Sequence, residues 1–452
     1  MLNSVLVANR GEIARRVIGT ARRLGIRTVA VYSEADAALP FVAEADEAVL
    51  IGPAPPARSY LDSAAVLAAA RQTGAGAVHP GYGFLAENPR FARQVLAEGL
   101  TWVGPPPEAI EAMGDKISAR NLMAAAGVPV AAGSAEPVSS PDAAAAEAAR
   151  IGYPVMVKAA AGGGGIGMSA VSDPAGLRAA FETARTRAER FFGDPAILLE
   201  RCISPARHVE VQILGLSDGE VVALGERDCS VQRRHQKVAE ETPSPGVGPV
   251  LRERMLAAAV RAGTAVGYRG AGTVECLVDT VADDFVFLEM NTRLQVEHPV
   301  TELVTGIDLV EQQFRIASGE PVSFPAAVRP HGHALELRVY AEDPVRFMPS
   351  PGTITGWREP AGPGIRVDAG YAAGNQVTPF YDPLLAKLCV HGRDRGEALA
   401  RARAAVAAFE ITGLRTNLPF HADLLASEEF TSGDYDTAIV ARLRPGPRPA
   451  HN

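Results

Sequence analysis

The segment TVECLVDTVADDFVFLEMN, residues 273–291, constrains the fold of this chain most strongly. Two apolar runs flank the short stretch VADD, a pattern that predicts a β-hairpin. Folding it about Ala282 places Glu275 opposite Glu289, where Cβ atoms lie about 4.5–5.5 Å apart and like charges destabilise the pair. A cation between the carboxylates would remove this repulsion, and Asn291 adds a third oxygen on the same face. Such hard oxygen ligands suit Mg²⁺ or Mn²⁺, so the hairpin predicts a metal site.

A second interpretation of the hairpin is a solvated pair of carboxylates on an exposed sheet. The flanking Val, Leu, Phe and Met residues are too apolar for a freely exposed strand, which favours the metal site. Beyond the hairpin, polar residues continue at every second position, namely Glu289, Asn291, Arg293, Gln295 and Glu297. An extended backbone would place them on one face, and Pro299 favours an extended His298 as well. Arg293 would then offer its planar fork to an oxyanion and Glu297 a base, with an ion-pair ladder as the alternative.

The segment SVQRRHQK, residues 230–237, is strongly basic. In an extended chain Arg233, His235 and Lys237 lie on one face, and Gln232, Arg234 and Gln236 lie on the other. Three neighbouring basic groups repel one another unless an anion lies among them. The chain as a whole carries a formal net charge of −8, which argues against nucleic-acid binding. The segment therefore predicts a pocket for a small anion.

The segment KAAAGGGGIGMSA begins at Lys158 and contains four consecutive glycines. Backbone without Cβ atoms approaches phosphate closely and offers its N–H groups, although no Lys-Ser/Thr pair follows as in a Walker loop. A flexible hairpin tip is the alternative, but the position of Lys158 at the end of an apolar strand favours nucleotide binding. Lys116 is predicted at a helix start, where a phosphate would offset its unfavourable position. His208 begins a predicted strand with Glu210 on the same side, a spacing that alone selects no function.

The N-terminal region predicts a parallel sheet with helical crossovers. Residues 5–8 form an apolar strand, apolar residues recur at helical spacing from Ile13 to Leu24, and residues 28–32 form a second strand, which together make a βαβ unit. The first turn contains Gly11 but lacks GxGxxG, so a nicotinamide site is not indicated. A Pro/Ala/Ser-rich stretch suggests a boundary near residue 130. The Pro-rich end, RLRPGPRPAHN, predicts a loose tail.

Bulk properties indicate an ordinary globular protein in a reducing compartment. Hydrophobic residues make up 47% of the chain and charged residues 21%, which is typical of soluble domains. The four cysteines never form a CxxC spacing, and this argues against both a disulfide framework and a zinc site. Neither a signal peptide nor an apolar run of membrane-spanning length is recognised. The sequence therefore predicts a cytoplasmic protein that binds neither membrane nor nucleic acid.

Several motifs in order along the chain resemble the biotin carboxylases, which are ATP-grasp enzymes. These motifs are ANRGEIA, HPGYGFLAEN, GGGGIGM, PARHVEVQ, GERDCSVQRRHQKVAEE, EMNTRLQVEHPVTE, ELRVYAEDP, YDPLLAKL and TNLPFH. The resemblance spans about residues 3–425 and implies an α/β chain, partly α+β, with an ATP-grasp fold. It implies an N-terminal Rossmann-like domain at 1–115 and an ATP-grasp domain at 116–325 with a mobile glycine-rich lid at about 130–203. A C-terminal mixed β domain at 326–445 and a tail at 446–452 follow.

The resemblance also implies roles for individual residues. ATP phosphates or ribose would be held by Lys116, Lys158, Gly164, Gly165, His208, Gln232 and His235. The adenine would be framed by Glu200, Arg201, Cys202, Ile203 and Leu277. Two Mg²⁺ or Mn²⁺ ions would be held by Glu275, Glu289 and Asn291. Bicarbonate would be held by Lys237, Arg293 and the backbone of Val296, with Glu297 as its base. Biotin would be held by Arg338, with Tyr82 and Gly83 nearby.

The implied reaction explains these residue types. Attack of bicarbonate on the ATP γ-phosphate brings two anions together, so cations must offset their repulsion. The resulting carboxyphosphate would break down to CO₂ and phosphate, the phosphate would deprotonate biotin N1, and Arg338 would stabilise the ureido oxyanion. The family usually has basic residues where this chain has Ile166 and often where it has Ser169, so the lid is expected to bring less positive charge to the phosphates.

The resemblance further implies partners, because no Ala-Met-Lys-Met-type biotinylation site and no carboxyltransferase region are recognised. Biotin is expected to arrive on a separate carrier protein or domain, and a separate carboxyltransferase subunit is expected to use the product. The family further suggests a homodimer. Two other functions stay open at this point: another ATP-grasp ligase of the carbamoyl-phosphate or amino-acid type, and a catalytically silent nucleotide-binding subunit.

Overall fold

The first strand, β1, is buried on both faces, since Val5, Leu6 and Val7 are fully inaccessible. Such a strand belongs in the middle of a parallel sheet covered by helices. The computed structural model describes residues 2–160, 168–324 and 328–445. The N-terminal strands are β1 (Ser4–Val7), β2 (Arg27–Ser33), β3 (Glu47–Gly52), β4 (Ala77–His79) and β5 (Thr101–Trp102). They form a parallel sheet in the order β3-β2-β1-β4-β5, which confirms the predicted Rossmann-like arrangement.

The first four helices of this N-terminal region connect its strands, and the fifth follows β5. They are α1 (Gly11–Arg23), α2 (Pro40–Glu44), α3 (Ser63–Thr73), α4 (Pro89–Ala97) and α5 (Pro107–Gly114). The predicted βαβ unit is thus β1-α1-β2, and the apolar side of α1 is buried through Ile13, Val17 and Ile18.

A small α/β unit follows and carries the glycine-rich segment. It comprises α6 (Lys116–Ala125), α7 (Pro141–Ile151), β6 (Val155–Ala159), β7 (Ser169–Val171), α8 (Pro174–Phe192) and β8 (Ile197–Arg201). Its three strands form an antiparallel sheet in the order β7-β6-β8. Gly164, Gly165 and Ile166 lie outside the described residues. Ser169 begins β7 and pairs with Val157.

An eight-stranded antiparallel sheet forms the centre of the molecule. Its strands are β9 (Ala206–Gly215), β10 (Val221–Arg233), β11 (Gln236–Thr242), β12 (Gly270–Asp279), β13 (Asp284–Asn291), β14 (His333–Tyr340), β17 (Ile365–Ala369) and β19 (Leu384–Gly392). The order is β13-β12-β9-β10-β11-β14-β19-β17. Because β11 pairs with β14, one continuous sheet brings residues far apart in sequence onto neighbouring strands.

The remaining elements flank this sheet. The short strands are β15 (Gly352–Thr353), β16 (Gly356–Arg358), β18 (Gln376–Val377) and β20 (Glu410–Thr412). The helices are α9 (Pro249–Ala265), α10 (His298–Thr305), α11 (Leu309–Ala317), α12 (Arg395–Ala408), α13 (Leu418–Ala426), α14 (Glu428–Ser432) and α15 (Ile439–Leu443). Within the described residues, no helix combines the length and the hydropathy that a membrane crossing requires.

A buried carboxylate joins β11 to the C-terminal helices. Glu241 accepts hydrogen bonds from His333 at 2.6 Å, from Arg395 at 2.7 Å and from the Tyr435 hydroxyl at 2.6 Å. Burial opposes ionisation of Glu241, but the hydrogen bonds from His333 and Arg395 outweigh it and lower its pKa from 4.5 to about 2. The ionised carboxylate therefore stabilises the folded chain.

We expect Glu241→Gln to lower the free energy of unfolding by about 3 kcal/mol, the amount that corresponds to this lowered pKa. Since the pKa is lower in the folded state, the stabilisation is present above the unfolded pKa and is lost as the pH falls from 4.5 to about 2. Urea denaturation followed by circular dichroism between pH 7 and pH 2 would measure it. The control is Glu410→Gln, which removes an exposed pair with Arg358 and should leave the curve unchanged. If the stability of Glu241→Gln depended on pH as strongly as that of wild type, the stabilisation could not be assigned to Glu241.

Candidate active site

One large cavity, of about 1780 Å³, contains nearly all of the predicted site residues. Its volume exceeds that of a usual single-ligand pocket, about 300–1,000 Å³, so it has room for more than one substrate. The predicted residues that line it are Tyr82, Gly83, Lys116, Lys158, Glu200, Arg201, Cys202, Ile203, His208, Gln232, His235, Lys237, Glu275, Leu277, Glu289, Asn291, Arg293, Val296 and Arg338. Glu297 is fully buried beside the cavity and reaches its lining through hydrogen bonds.

The predicted pairing of two carboxylates is confirmed, since Glu275 lies directly opposite Glu289 on β12 and β13. A bulge after Glu275 shifts the following pairs by one residue, so that Cys276 pairs with Phe287. Burial opposes ionisation of Glu275. The charges of Lys237 and His208 nonetheless lower its pKa far below the ordinary value.

Glu289 lies in a different environment. Burial raises its pKa, and the negative charge of Glu275 raises it further. The Asn291 amide donates a hydrogen bond to it at 3.4 Å, and no basic side chain within the described ranges forms an ion pair with it. A divalent cation shared by Glu275, Glu289 and Asn291 would supply the missing positive charge, so these residues fit the predicted metal.

Lys237 is the centre of a cluster of carboxylates. Its Nζ atom lies 2.5 Å from Glu210, 2.7 Å from Glu275 and 2.6 Å from Glu297. Burial opposes its charge, but the three carboxylates raise its pKa well above the ordinary value. Arg227 is also fully buried and donates from Nε to Glu210 at 2.6 Å. Lys237 therefore remains charged inside the protein.

The predicted extended conformation of SVQRRHQK is wrong. Strand β10 ends at Arg233, β11 begins at Gln236, and Arg234 and His235 form the two-residue connection with positive φ angles of 50° and 66°. A tight turn of this kind matches the twist of a hairpin. It places the tip in solvent, where basic side chains repel each other less.

The turn changes which residues of the segment share a face. Gln232 pairs directly with Lys237, so these two lie on the same face rather than on opposite ones. Gln232 also contacts the His208 ring at 2.7 Å. Arg233 forms an ion pair with Glu342 instead of facing an anion, and exposed His235 lies at the cavity rim. Lys237 is the basic residue of this segment that reaches the buried carboxylates of the cavity.

The predicted extended row from Glu289 to Glu297 is correct only for its first residues. Strand β13 ends at Asn291, an irregular loop follows, and Glu297 directly precedes α10. His298 is helical rather than extended, because Pro299 occupies the first turn of α10, where a missing N–H costs nothing. Arg293 and Gln295 still line the cavity.

Glu297 is held between two cations. It accepts hydrogen bonds from Lys237 at 2.6 Å and from Arg338 at 2.9 Å. Burial opposes its ionisation, but the charges of Lys237 and Arg338 lower its pKa well below the ordinary value. Glu297 is thus an ionised carboxylate able to accept a proton.

Arg338 joins this carboxylate to a second one. Its Nε donates to Glu240 at 2.7 Å, and burial raises the pKa of Glu240 to about 7 although Arg338 opposes the change. Tyr82 of the N-terminal region lines the same cavity and donates its hydroxyl to Glu12. The guanidinium therefore lies where the N-terminal region meets the central sheet.

Arg293 is fixed by residues from two regions. Its Nε donates to Glu87 at 2.8 Å and its Nη2 to Asn291 at 2.7 Å. Glu87 is a half-exposed residue and is absent from the predicted site, although it belongs to the motif HPGYGFLAEN. Its contact holds the guanidinium beside Asn291, one of the predicted metal ligands.

The region around β6 and β8 has both basic and apolar surfaces. Lys158 forms an ion pair with Glu200 at 2.5 Å. Burial lowers the pKa of Lys116, and the charge of Lys158 lowers it further although Glu289 opposes this. Leu277 and Ile203 line the same cavity. Two ammonium groups beside an apolar surface suit a nucleotide, with its phosphates near the lysines and its base on the apolar side chains.

Sequence reasoning missed several residues of the site. They are Met156, Met168 and Leu288 in the apolar lining, and Glu87, Glu210, Arg227 and Glu240 in the ion-pair network. The alternation of His208 and Glu210 along the sequence was a signal for Glu210, and Arg227 lies within the motif GERDCSVQRRHQK. Residues that contact the site only through long-range strand pairing gave no local signal.

Comparisons with known proteins cover nearly the whole chain. Three family models match: "Biotin carboxylase, N-terminal domain" at residues 1–110, "Carbamoyl-phosphate synthase L chain, ATP binding domain" at 115–324, and "Biotin carboxylase C-terminal domain" at 336–442.

Relatives and solved structures agree with these matches. The biotin carboxylase of Halalkalibacterium halodurans is 52% identical, and the alignment covers 97% of each chain. A pyruvate carboxylase subunit of Methanothermobacter thermautotrophicus is 49% identical, covering 99% of this chain and 91% of that one. The biotin carboxylase domain dimer of Hydrogenobacter thermophilus 2-oxoglutarate carboxylase, solved with MgADP, ADP and bicarbonate, superimposes with a TM-score of 0.94 at 43% identity over 98% of each chain.

Proposed function

The chain belongs to the biotin carboxylase family, and from this premise we propose that it carboxylates biotin with ATP and bicarbonate. The products are ADP, phosphate and N1-carboxybiotin, formed through carboxyphosphate. The observation that carries the proposal is Glu297, an ionised carboxylate held between Lys237 and Arg338 beside a cavity large enough for several substrates.

ATP binds in the part of the cavity between the three-stranded sheet and the central sheet. Lys116 and Lys158 hold the phosphates electrostatically, together with His208, Gln232 and the rim residue His235. Gly164 and Gly165 contribute backbone N–H groups. The apolar surface that includes Leu277, next to the strand end at residues 200–203, accepts the adenine.

Glu275, Glu289 and Asn291 would hold Mg²⁺ or Mn²⁺, and the bound ion would supply positive charge to the transferred phosphoryl group. Burial and the negative charge of Glu275 together raise the pKa of Glu289, which supports this role because a cation would stabilise the ionised pair.

Bicarbonate binds to Lys237, Arg293 and the N–H of Val296. Its negative charge draws Lys237 away from Glu297, and the weaker interaction raises the pKa of that carboxylate. Glu297 then accepts the bicarbonate proton as the oxygen attacks the γ-phosphate. The short contact of 2.6 Å between Lys237 and Glu297 supports this order, because an anion at Lys237 competes with that contact.

Biotin binds beside Arg338, with Tyr82 and Gly83 lining the same wall. Phosphate released from carboxyphosphate removes the proton from N1. The guanidinium stabilises the ureido oxyanion that develops, as a fixed donor does in an oxyanion hole.

Biotin is carried by a separate protein or domain, and a separate carboxyltransferase consumes the carboxybiotin. The match to a pyruvate carboxylase subunit over nearly its full length supports an assembly of several chains. The dimer of the Hydrogenobacter thermophilus domain supports a homodimer. Four free cysteines fit the reducing cytoplasm predicted for the protein.

The experiment that tests the proposed function measures bicarbonate-dependent release of ADP with and without free biotin. Stimulation by biotin is the expected result. Bicarbonate-dependent turnover that ignores biotin would instead indicate another ATP-grasp ligase, an interpretation compatible with the carbamoyl-phosphate synthase match at residues 115–324. Absence of turnover would indicate a silent nucleotide-binding subunit.

Glu289→Gln should raise the Mn²⁺ concentration needed for half-maximal activity about tenfold or more, since metal ligation depends on carboxylate charge. Calorimetric titration of Mn²⁺ in the presence of ADP measures the affinity directly. Asp284→Asn is the control, because Asp284 is an exposed residue of the same hairpin that pairs with Arg254. Identical Mn²⁺ affinities of Glu289→Gln and wild type would remove Glu289 from the metal site.

A further inference from the structure

The loop between β13 and α10 has two of its carbonyl groups fixed by buried side chains. The carbonyl oxygen of Gln295 lies 2.8 Å from Nδ1 of His298 and accepts a longer hydrogen bond, of 3.4 Å, from the backbone N–H of the same residue. The carbonyl oxygen of Val296 accepts a hydrogen bond from Nζ of Lys387 at 3.0 Å. Two successive peptide groups, on either side of Val296, are therefore held in place.

Both side chains are themselves immobilised by burial. His298 and Lys387 each have 0% of their surface exposed. Lys387 lies 3.0 Å from Glu12 on α1 and 3.8 Å from Asp368 on β17. The loop is thus anchored to the N-terminal region and to the far edge of the central sheet.

The protonation state of His298 follows from its surroundings. Burial lowers its pKa well below the ordinary value, and the charges of Lys387 and Arg16 lower it further, so the ring is neutral. A neutral imidazole has a single N–H. Because Nδ1 faces a carbonyl oxygen while Nε2 has no partner within the described residues, the proton lies on Nδ1.

The geometry of the peptide group gives this contact a consequence for the cavity. In a trans peptide the C=O and the following N–H point in opposite directions. Fixing the Gln295 carbonyl against His298 therefore directs the Val296 N–H away from the body of α10. Val296 lines the cavity, and no acceptor for its N–H exists among the described residues.

We propose that His298 is a positioning residue, which holds the peptide between Gln295 and Val296 so that the Val296 N–H is presented to bicarbonate. The inference rests on the proposed function, because bicarbonate is the anion assigned to that N–H. His298 does not touch the substrate. It holds the loop in the conformation that binds bicarbonate, so that binding requires no reorganisation of the loop.

Two substitutions that differ in the position of one donor test the proposal. The side-chain amide of His298→Asn places an N–H near the position of Nδ1, whereas that of His298→Gln places it near Nε2. We expect His298→Gln to raise the KM for bicarbonate about tenfold or more, as loss of one hydrogen bond to an anion does, with the KM for ATP changed less than twofold. His298→Asn should remain within about threefold of wild type for both substrates. ADP release in the presence of free biotin measures each constant.

Val304→Ala controls for general weakening of α10, since Val304 is buried near the other end of that helix. It should lower thermal stability without changing the KM for bicarbonate. Equal bicarbonate KM values for the Asn and Gln variants would overturn the proposal, and so would parallel changes in both substrates or a bicarbonate effect of Val304→Ala. A wild-type protein without bicarbonate-dependent turnover would refute the proposed function itself, a failure distinct from that of His298.

Discussion

Glu297→Gln is expected to lower biotin carboxylation about 10²–10⁴-fold, the usual contribution of a general base. The amide keeps the shape of the side chain but does not accept the bicarbonate proton. Lys237 retains Glu210 and Glu275 as partners, so the cluster keeps a counter-charge and the fold persists. Steady-state ADP release in the presence of free biotin measures the rate, and calorimetry measures ADP affinity, which should change less than about threefold because Glu297 does not line the nucleotide end.

Glu302→Gln provides a matched control for this prediction. Glu302 is a buried carboxylate on α10, the helix that Glu297 directly precedes, and it pairs with Arg16 and Arg366 rather than with the cavity residues. Its substitution should affect stability and leave the rate constant for carboxylation near that of wild type. A Glu297→Gln enzyme that retains most of its activity would exclude Glu297 as the base.

The carboxylate pair was predicted from sequence by counting along the hairpin, although its geometry also depends on a bulge. Seven residues separate Ala282 from Glu275 and from Glu289, and a short loop leaves few other registers. The bulge after Glu275 was not predictable, since bulges depend on contacts with the neighbouring strand. It lies between the turn and the pair, and it is the shift that brings Glu289 rather than Leu288 opposite Glu275.

The two wrong predictions share one cause, which is that alternation of side chains holds only while the strand continues. Tight hairpin turns usually contain Asn-Gly or Asp-Gly, which makes them recognisable in a sequence. Here Arg234 and His235 adopt positive φ without that signal. Likewise, nothing between Asn291 and Glu297 marks the end of β13 as clearly as a glycine would.

The charge network could not be predicted from local sequence patterns, because its members come from strands that are distant in sequence. Lys237 on β11, Arg338 on β14 and Lys387 on β19 become neighbours through the pairing of these strands. The family resemblance supplied Lys237 and Arg338. It did not supply Glu240 or Lys387, whose importance depends on burial and on the ions that they contact.

Arg338→Ala should lower biotin carboxylation about 10²–10³-fold, as removal of one fixed oxyanion donor does. The buried site tolerates the loss, because Glu240, whose pKa is already raised to about 7, becomes protonated once its cation is gone. ATP binding should change far less, since Lys158 pairs with Glu200 on a different sheet. Parallel measurements of carboxylation of free biotin and of the Kd for ADP give the two effects.

Arg207→Ala separates this chemical effect from the cost of removing any buried arginine. Arg207 lies in the same sheet, forms an ion pair with Asp228 at 3.0 Å and stacks 4.3 Å from the Tyr435 ring, and it does not line the cavity. Its substitution should lower the melting temperature while the enzyme that remains folded carboxylates biotin normally. If Arg338→Ala instead weakened ADP binding and carboxylation equally, the guanidinium would act on the fold of the cavity and not on the ureido oxygen. If Arg338→Ala lost carboxylation but kept ADP binding, and Arg207→Ala carboxylated biotin normally, Arg338 would be identified as the residue that stabilises the ureido oxyanion.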